Sequence, residues 1–147
     1  MENGLSVCRR LCWVVNMDPE AQKRHRHTKC GRTYDPPSAL KTAFRKKSLL
    51  LCPGIEHVDT HAMSMRVVFR CRRPQSHYTT KARTKLSKKA PLWHVYKCDI
   101  DNYVKFVMDA LCGTFYKDDA QIFEINARKE WVHEGEQGVD VELVSYE

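Results

Sequence analysis

The residues best suited to chemistry are carboxylates gathered in one stretch of the chain, with a lysine among them. Asp99 and Asp101 lie at the start of a predicted helix, Lys105 follows four residues later, and Asp118 and Asp119 come shortly after the helix ends. Alternate residues of an extended segment share a side, and residues four apart share a helix face. We therefore expect the first three of these side chains to point the same way.

Carboxylates brought close together repel one another, and a hard divalent cation relieves that repulsion. Mg²⁺ is the natural candidate because it takes oxygen ligands and is commonly held by one or two carboxylates with phosphate and water. Mn²⁺ is the expected substitute. Against a phosphodiester such an ion activates a water, and Lys105 would stabilise the negative charge of the transition state. The acidic stretch therefore predicts a divalent-metal site.

Each of these features also has a simpler structural explanation. Asp101 could be only the N-cap of the helix, or it could form an ordinary i to i+4 ion pair with Lys105. Asp118 and Asp119 together are often a polar turn, and Asp109 could pair with Lys105 or cap a neighbouring loop. The metal-site interpretation is favoured because these residues occur together, directly after a basic segment that contains aromatic residues.

Charge is divided unevenly along the chain, although the net charge is +7. Residues 1–97 contain 21 Lys and Arg against 6 Asp and Glu, whereas residues 98–147 contain 4 against 12. A basic part joined to an acidic part indicates a polyanionic partner and an acidic site that loads cations. Taken alone, the asymmetry is equally compatible with an acidic end that only offsets charge.

Two basic segments are the predicted nucleic-acid contacts. Residues 16–34 are interpreted as a surface arm rather than core, and residues 71–97 as a long loop in which basic residues alternate with aromatic ones. Such a mixture suits phosphate contacts and stacking on unpaired bases, whereas a solvated linker is the alternative. The candidate binding residues are Lys23, Arg24, Arg26, Arg72, Arg73, Lys81, Arg83, Lys85, Lys88 and Lys89.

Two main helices are predicted. Pro36, Pro37 and Ser38 begin the first, which ends at residues 52–54. Residues 101–112 form the second, because their apolar residues recur at i, i+3, i+4, i+7 and i+8 and make a single stripe.

Together with the predicted strands, these helices indicate the α+β class. We expect a small single domain in which a mixed sheet of short strands packs against the two helices. Apolar runs favour strands at residues 11–15 and 63–69, the latter alternating with polar residues. Alternation over 123–127 and 139–143 predicts a closing hairpin. A length of 147 residues fits one domain, in which residues 1–35 are a basic strand and arm and 36–147 the catalytic region.

The seven cysteines are scattered and odd in number, which predicts reduced thiols in an intracellular compartment. The alternative is a zinc site, although the spacing of its members matches no usual paired ligand set. No apolar run is long enough to span a membrane, and the first residues lack the layout of a signal peptide. The members of that alternative zinc set are Cys8, Cys12, His25, His27 and Cys30.

Three ordered segments make the acidic stretch more specific. They are Lys97-Cys98-Asp99-Ile100-Asp101-Asn102-Tyr103-Val104-Lys105, then Asp109-Ala110-Leu111-Cys112-Gly113, then Tyr116-Lys117-Asp118-Asp119-Ala120-Gln121-Ile122. In this order they resemble the signature of RusA-type Holliday junction resolvases. Cys98 stands where that family usually has proline, and Cys112 where it usually has asparagine.

The resemblance implies a RusA-like homodimer that binds four-way DNA junctions and cuts them with paired nicks, using Mg²⁺, in DNA recombination and repair. It makes Asp99, Asp101 and Asp119 the metal-binding carboxylates and Lys105 the catalytic lysine, with Asp118 as an adjacent candidate ligand. The alternatives are a module that binds branched DNA without cutting it and a metal nuclease acting on another branched nucleic acid.

Overall fold

The computed structural model describes residues 4, 6–23, 26–27, 29–31, 33–34, 38–53, 55 and 58–147, with only the backbone at 26–27 and 33–34. The helices are α1 (Ser38–Leu51) and α2 (Ile100–Leu111). The strands are β1 (Val7–Val15), β2 (Arg26–His27), β3 (Thr33–Tyr34), β4 (Ala62–Arg72), β5 (Ile122–Val132) and β6 (Gly138–Tyr146). The order β1-β6-β4-β5 forms a four-stranded sheet, and β2 pairs with β3. This is the predicted α+β class with a mixed sheet.

Strand β4 lies inside the sheet and carries much of the core. It pairs antiparallel with β6 and parallel with β5. Alternate residues Met63, Met65, Val67 and Phe69 are almost completely buried, because one face of a strand collects every second side chain. The predicted strand is confirmed and extends beyond its expected ends. Val68, which interrupts the apolar alternation, faces the other side of the sheet.

The predicted closing hairpin is wrong, because β4 lies between β5 and β6. The turn at residues 133–137 exists, but it crosses the end of β4 instead of joining neighbouring strands. Arg70 of β4 holds this crossing: its Nη1 donates to the carbonyl of Glu136 at 2.7 Å, and its Nε donates to Asp140 at 3.1 Å. A Cβ atom at Gly138 would lie 2.7 Å from the Arg70 guanidinium and 3.0 Å from the carbonyl oxygen of Val15, so a larger residue there would displace Arg70.

Both predicted helices are confirmed, and they pack against each other over one face of the sheet. Phe44 of α1 meets Phe106 of α2 edge to face, with ring centroids 6.0 Å apart. Arg45 Nε donates to the carbonyl of Ala110 at 2.7 Å. The two prolines expected before α1, Pro36 and Pro37, lie outside the described residues. Helix α1 therefore fixes the position of α2.

The basic arm is less superficial than expected. Ala21 is 8% exposed and belongs to the core cluster, and the backbone N–H of Gln22 donates to the carbonyl of Asn102 at 2.8 Å. This contact brings the arm against the first turn of α2. Lys23 follows it and is exposed. Of the other predicted binding residues here, Arg24 and the side chain of Arg26 lie outside the described part of the chain.

The long basic loop after β4 is folded around one side chain of β5, Trp131. His94 stacks on Trp131 with ring centroids 3.9 Å apart, and His77 meets it edge to face at 4.9 Å. Trp131 Nε1 donates to the carbonyl of Trp93 at 3.2 Å. The loop is therefore anchored to the sheet just before it reaches Asp99. No helix in the described ranges is long and apolar enough to cross a bilayer.

This anchor predicts a loss of stability in mild acid. Burial and the nearby charges of Lys129 and His77 lower the pKa of His94 below its ordinary value of 6.5. The unfolded chain then takes up a proton at a higher pH than the folded chain does. The free energy of unfolding should therefore be highest above pH 6.5 and fall as the pH drops through 6.5 towards the lowered pKa.

Thermal melts at about pH 7.5 and about pH 5.5 measure this effect. Each kcal/mol lost should lower Tm by about 2–4 °C in a chain of this size. The variant His94→Phe keeps a ring on Trp131 but does not titrate, so its acid-induced drop in Tm should be smaller. An equal drop in parent and variant would contradict the assignment.

Candidate active site

The two carboxylates at the start of α2 are exposed. Asp99 is the N-cap residue, with φ −68° and ψ 146°, but its side chain makes no capping hydrogen bond. Its carbonyl instead accepts from the backbone N–H of Asn102 at 3.2 Å. Asp101 lies in the first turn, where the partial positive charge of a helix N-terminus favours a carboxylate. The alternative explanation, in which Asp101 is the N-cap, is therefore wrong, because Asp99 occupies that position.

Lys129 of β5 positions the segment that leads into this helix. Its Nζ donates to the carbonyls of Tyr96 at 2.7 Å and of Cys98 at 2.9 Å. The Lys97–Cys98 peptide bond is cis. Lys129 was not among the residues predicted from the sequence, although one signal was present, since it continues the alternation that Ile125 and Ala127 begin in β5.

Lys105 lies between two carboxylates on the exposed side of α2. Its Nζ is 2.7 Å from Oδ1 of Asp109 and 3.8 Å from Oδ2 of Asp119. The hydrogen bond to Asp109, together with the charges of both carboxylates, raises the pKa of Lys105 even though partial burial opposes the shift. Lys105 is therefore a cation at neutral pH. Among the described residues its ion-pair partners are these two and not Asp101.

Asp109 has a second partner that sequence analysis did not identify. Its Oδ2 lies 3.2 Å from Nζ of Lys41, a residue of α1 that is 8% exposed. The carboxylate thus joins the two helices and holds Lys105 at the same time. This agrees with the structural explanation for Asp109 considered above, in which it pairs with Lys105.

Asp119 is held towards Lys105 by a buried tyrosine. The single hydroxyl proton of Tyr116 is shared between the carbonyl of Met108 at 2.9 Å and Oδ1 of Asp119 at 3.3 Å. Burial, followed by the charge of Asp119, raises the pKa of Tyr116 far above its ordinary value. The hydroxyl therefore remains a donor, and it fixes Asp119 relative to the last turns of α2.

Asp118, although adjacent, has different contacts. Its side chain accepts from the backbone N–H of Ala120 at 2.8 Å, and the side chain of Gln121 accepts from the backbone N–H of Asp118 at 2.8 Å, which together form a capping box. Gln121 Nε2 also donates to the carbonyls of Asp59 at 3.0 Å and of His61 at 2.8 Å. These bonds attach the turn after α2 to the segment before β4.

The structure thus brings Lys105, Asp109 and Asp119 together, while Asp99 and Asp101 lie at the beginning of the same helix. Asp101 precedes Lys105 by four residues, which is about 6 Å along a helix axis. In the described part of the chain, no three of these carboxylates place ligand atoms within 4.8 Å of one another. The donor set is nevertheless all oxygen and accessible to solvent, which is what a hard divalent cation requires.

The predicted DNA-binding residues fall into two groups. Lys81, Lys85, Lys88 and Lys89 are exposed on the anchored loop. The arginines are engaged within the protein, since Arg72 and Arg83 each contact Glu134 at 3.2 Å, and Arg73 is 8% exposed and donates to the carbonyl of Pro91 at 2.9 Å. Burial gives Arg73 a structural role in the loop, and its predicted phosphate contact is disfavoured.

The exposed side of α2 thus carries a cationic lysine paired with carboxylates, and the loop that precedes this helix is basic and exposed. Residues 16–144 match the sequence profile described as "Endodeoxyribonuclease RusA", so the chain belongs to the RusA endodeoxyribonuclease family. It is also 34% identical over 136 residues to the "Uncharacterized protein YqaN" of Bacillus subtilis (strain 168), over 90% of this chain and 96% of that protein. Membership of this family implies DNA endonuclease activity of the Holliday junction resolvase kind.

Proposed function

We propose that this chain is a Mg²⁺-dependent endonuclease that resolves four-way DNA junctions by paired phosphodiester hydrolysis in recombination and repair. The observation that supports this most directly is the position of Lys105. It lies on α2, whose first turn carries Asp101, and its Nζ is 3.8 Å from Oδ2 of Asp119. A cation and several carboxylates on one exposed helix side can together accommodate a phosphate and a divalent ion.

Asp99, Asp101 and Asp119 are the residues that would hold the metal. When bound there, Mg²⁺ supplies an activated water and offsets negative charge on the phosphate. Asp118 is the weaker candidate, because its carboxylate already caps the following turn. Tyr116 keeps Asp119 aligned by donating its hydroxyl proton to one carboxylate oxygen. This leaves the other oxygen, the one nearer Lys105, for a ligand.

Lys105 would bind the scissile phosphate directly. Asp109 orients its ammonium group and keeps it protonated, so the lysine can donate to a phosphate oxygen and cannot act as a general base at neutral pH. Charge accumulates on the phosphate oxygens as the reaction proceeds, and a fixed cation stabilises that state more than the starting state.

The loop before α2 is the proposed junction-binding surface. Trp93 and Tyr96 are 73% and 56% exposed, although large aromatic side chains are usually buried, and they immediately precede Asp99. Aromatic faces of this kind stack on unpaired bases, while exposed lysines of the same loop contact phosphates. The arm that carries Lys23 contacts the first turn of α2 through the backbone N–H of Gln22. Two symmetric cuts require two such sites, which a homodimer would supply.

The deciding experiment follows nicking of a labelled four-way junction by the purified full-length chain. We expect paired nicks that need Mg²⁺ and disappear with a chelator, and little cutting of a linear duplex of the same sequence. Mn²⁺ should replace Mg²⁺. Junction binding without metal-dependent nicking would instead support a non-catalytic branched-DNA module, and preferential cutting of flaps or RNA would support a nuclease with another substrate.

A salt titration tests the proposed DNA surface. Phosphate contacts release counterions, so affinity falls with salt, and each lost contact should reduce the slope of log K against log salt by about 1. Replacing Lys88 and Lys89 by glutamine should therefore lower the slope by about 2. The matched control replaces Lys46 and Lys47, which are also adjacent and exposed but lie on α1. Equal slopes in the two double variants would remove Lys88 and Lys89 from the interface.

A further inference from the structure

Three potential metal ligands from distant parts of the chain meet at one end of the sheet. One ligand atom each from Cys8, His61 and Glu147 lies within 4.8 Å of the other two. The topology explains this meeting: β6 lies between β1 and β4 and runs antiparallel to both, so its end adjoins both of their beginnings. None of these residues belongs to the proposed nuclease site.

A bulge in β1 directs Cys8 into this cluster. Val7 pairs with Tyr146 and Arg9 with Ser145, so Cys8 is an extra residue between two consecutive partners. A bulge changes the direction of the side chain that it carries. Glu147 is held beside this bulge, because its backbone N–H donates to the carbonyl of Ser6 at 3.0 Å.

The imidazole of His61 is oriented by a carboxylate behind it. Its Nδ1 lies 2.9 Å from Oδ1 of Asp59, which also accepts the backbone N–H of His61 at 2.8 Å. With Nδ1 engaged, Nε2 is the ring nitrogen available to a ligand. A carboxylate behind a histidine is the usual support of a metal-binding imidazole.

We propose that Cys8, His61 and Glu147 form a zinc-binding site, with Asp59 positioning His61. Sulfur, imidazole nitrogen and carboxylate oxygen are the donors that zinc takes in proteins, and three protein ligands leave the fourth tetrahedral position to water. A thiolate and an imidazole disfavour Mg²⁺, which requires oxygen. The site is therefore chemically distinct from the carboxylates of α2.

Among the described side chains of the zinc set considered from the sequence, Cys8 belongs to this cluster, whereas Cys30 does not. Cys12 lies outside the cluster, and His25 and the side chain of His27 are outside the described residues.

Zinc at this position would stabilise the segment that supports the turn after α2. The carbonyls of Asp59 and His61 accept the two bonds from Gln121, and the carbonyl of Asp59 also accepts the backbone N–H of Lys117 at 3.2 Å. A ligand that binds only the folded chain raises its stability by mass action. Adding zinc should therefore raise Tm of the parent protein.

The test is a calorimetric titration of Zn²⁺ into the reduced, metal-free full chain without DNA. We expect one zinc per chain, undisturbed by excess Mg²⁺, and at least about tenfold weaker binding in Cys8→Ser. The matched control is Cys12→Ser, another exposed cysteine of β1, which should bind like the parent. Asp59→Asn should weaken binding by roughly 10- to 100-fold.

Spectroscopy with Co²⁺ identifies the ligand independently. The thiolate-to-metal absorption band should be present in the parent and in Cys12→Ser and absent in Cys8→Ser. Absence of stoichiometric zinc binding in the parent would overturn the proposal, as would a band that persists without Cys8 or is lost without Cys12. These measurements involve neither DNA nor cleavage, so their outcome is separate from that of the proposed nuclease function.

Discussion

Asp119→Asn should lower the rate of junction cleavage by roughly 100- to 1,000-fold while leaving junction binding intact. A bound cation contributes several kcal/mol of charge stabilisation, and each 1.36 kcal/mol corresponds to a factor of ten in rate. Asparagine keeps an oxygen that can accept the Tyr116 hydroxyl, so the fold should be preserved. Removal of one negative charge should, if anything, tighten DNA binding.

The neighbouring residue provides a matched control. Asp118→Asn removes the same charge one position away, but asparagine is as good an N-cap as aspartate, so the capping box should remain. We expect this variant to cut junctions at close to the parent rate. Single-turnover cleavage in saturating Mg²⁺, with binding measured separately in a chelator, compares the three proteins. A variant Asp119→Asn that keeps more than about a tenth of the parent rate would be inconsistent with a metal ligand at that position. Equal losses in both variants would be inconsistent with the different roles assigned to the two residues.

The parts of this site that could be predicted from sequence are those governed by local periodicity. The apolar stripe of α2 determines which side is buried, and Lys105 and Asp109 necessarily lie together on the other side. The alternation in β4 likewise indicated its buried face. Such patterns reflect the geometry of one element, and the structure confirmed the elements that they predicted.

Strand neighbours could not be predicted in the same way. The alternation of apolar and polar residues in β5 and β6 indicates which side chains share a face, but it does not indicate which strands are neighbours. The hairpin was predicted only because a short turn joins the two strands. The strand with the most completely buried face, β4, instead lies between them. Both edges of β4 are paired with strands whose residues lie 59 to 84 positions further along the chain, and no local pattern encodes such pairing.

The residues that support the site were missed for the same reason. Asp109 is held by Lys41, the segment before α2 by Lys129, and the turn after α2 by Gln121. Each of these contacts joins parts of the chain that are distant in sequence. Gln121 does stand in the segment that resembles the family signature, but its distant partners are the backbone carbonyls of Asp59 and His61, which carry no side-chain signal. The convergence of Cys8 with Glu147 is a still longer contact of this type.

The second large effect is expected at Lys105. Lys105→Met removes the cation and retains much of the side-chain length, and it should lower the cleavage rate by about 100- to 1,000-fold, as is found when one donor to a developing negative charge is removed. Junction affinity should change little, because one phosphate contact among many is lost. Lys105→Arg, which keeps the charge, should recover part of the rate.

Asp109→Asn distinguishes a cation that contacts the phosphate from one that only balances charge within the protein. Asp109 acts through Lys105, which it orients at 2.7 Å, so its replacement should reduce the rate by less than about tenfold. If Lys105 served only to neutralise Asp109 and Asp119, the double variant Lys105→Met/Asp109→Asn would regain part of its activity, because one of the two carboxylates left unpaired would be gone. If Lys105 contacts the phosphate, the double variant should be as inactive as Lys105→Met. Single-turnover rates of the parent, the two single variants and the double variant on one junction decide between these roles of Lys105. We expect the double variant to be as inactive as Lys105→Met, because Asp109 already has another partner in Lys41.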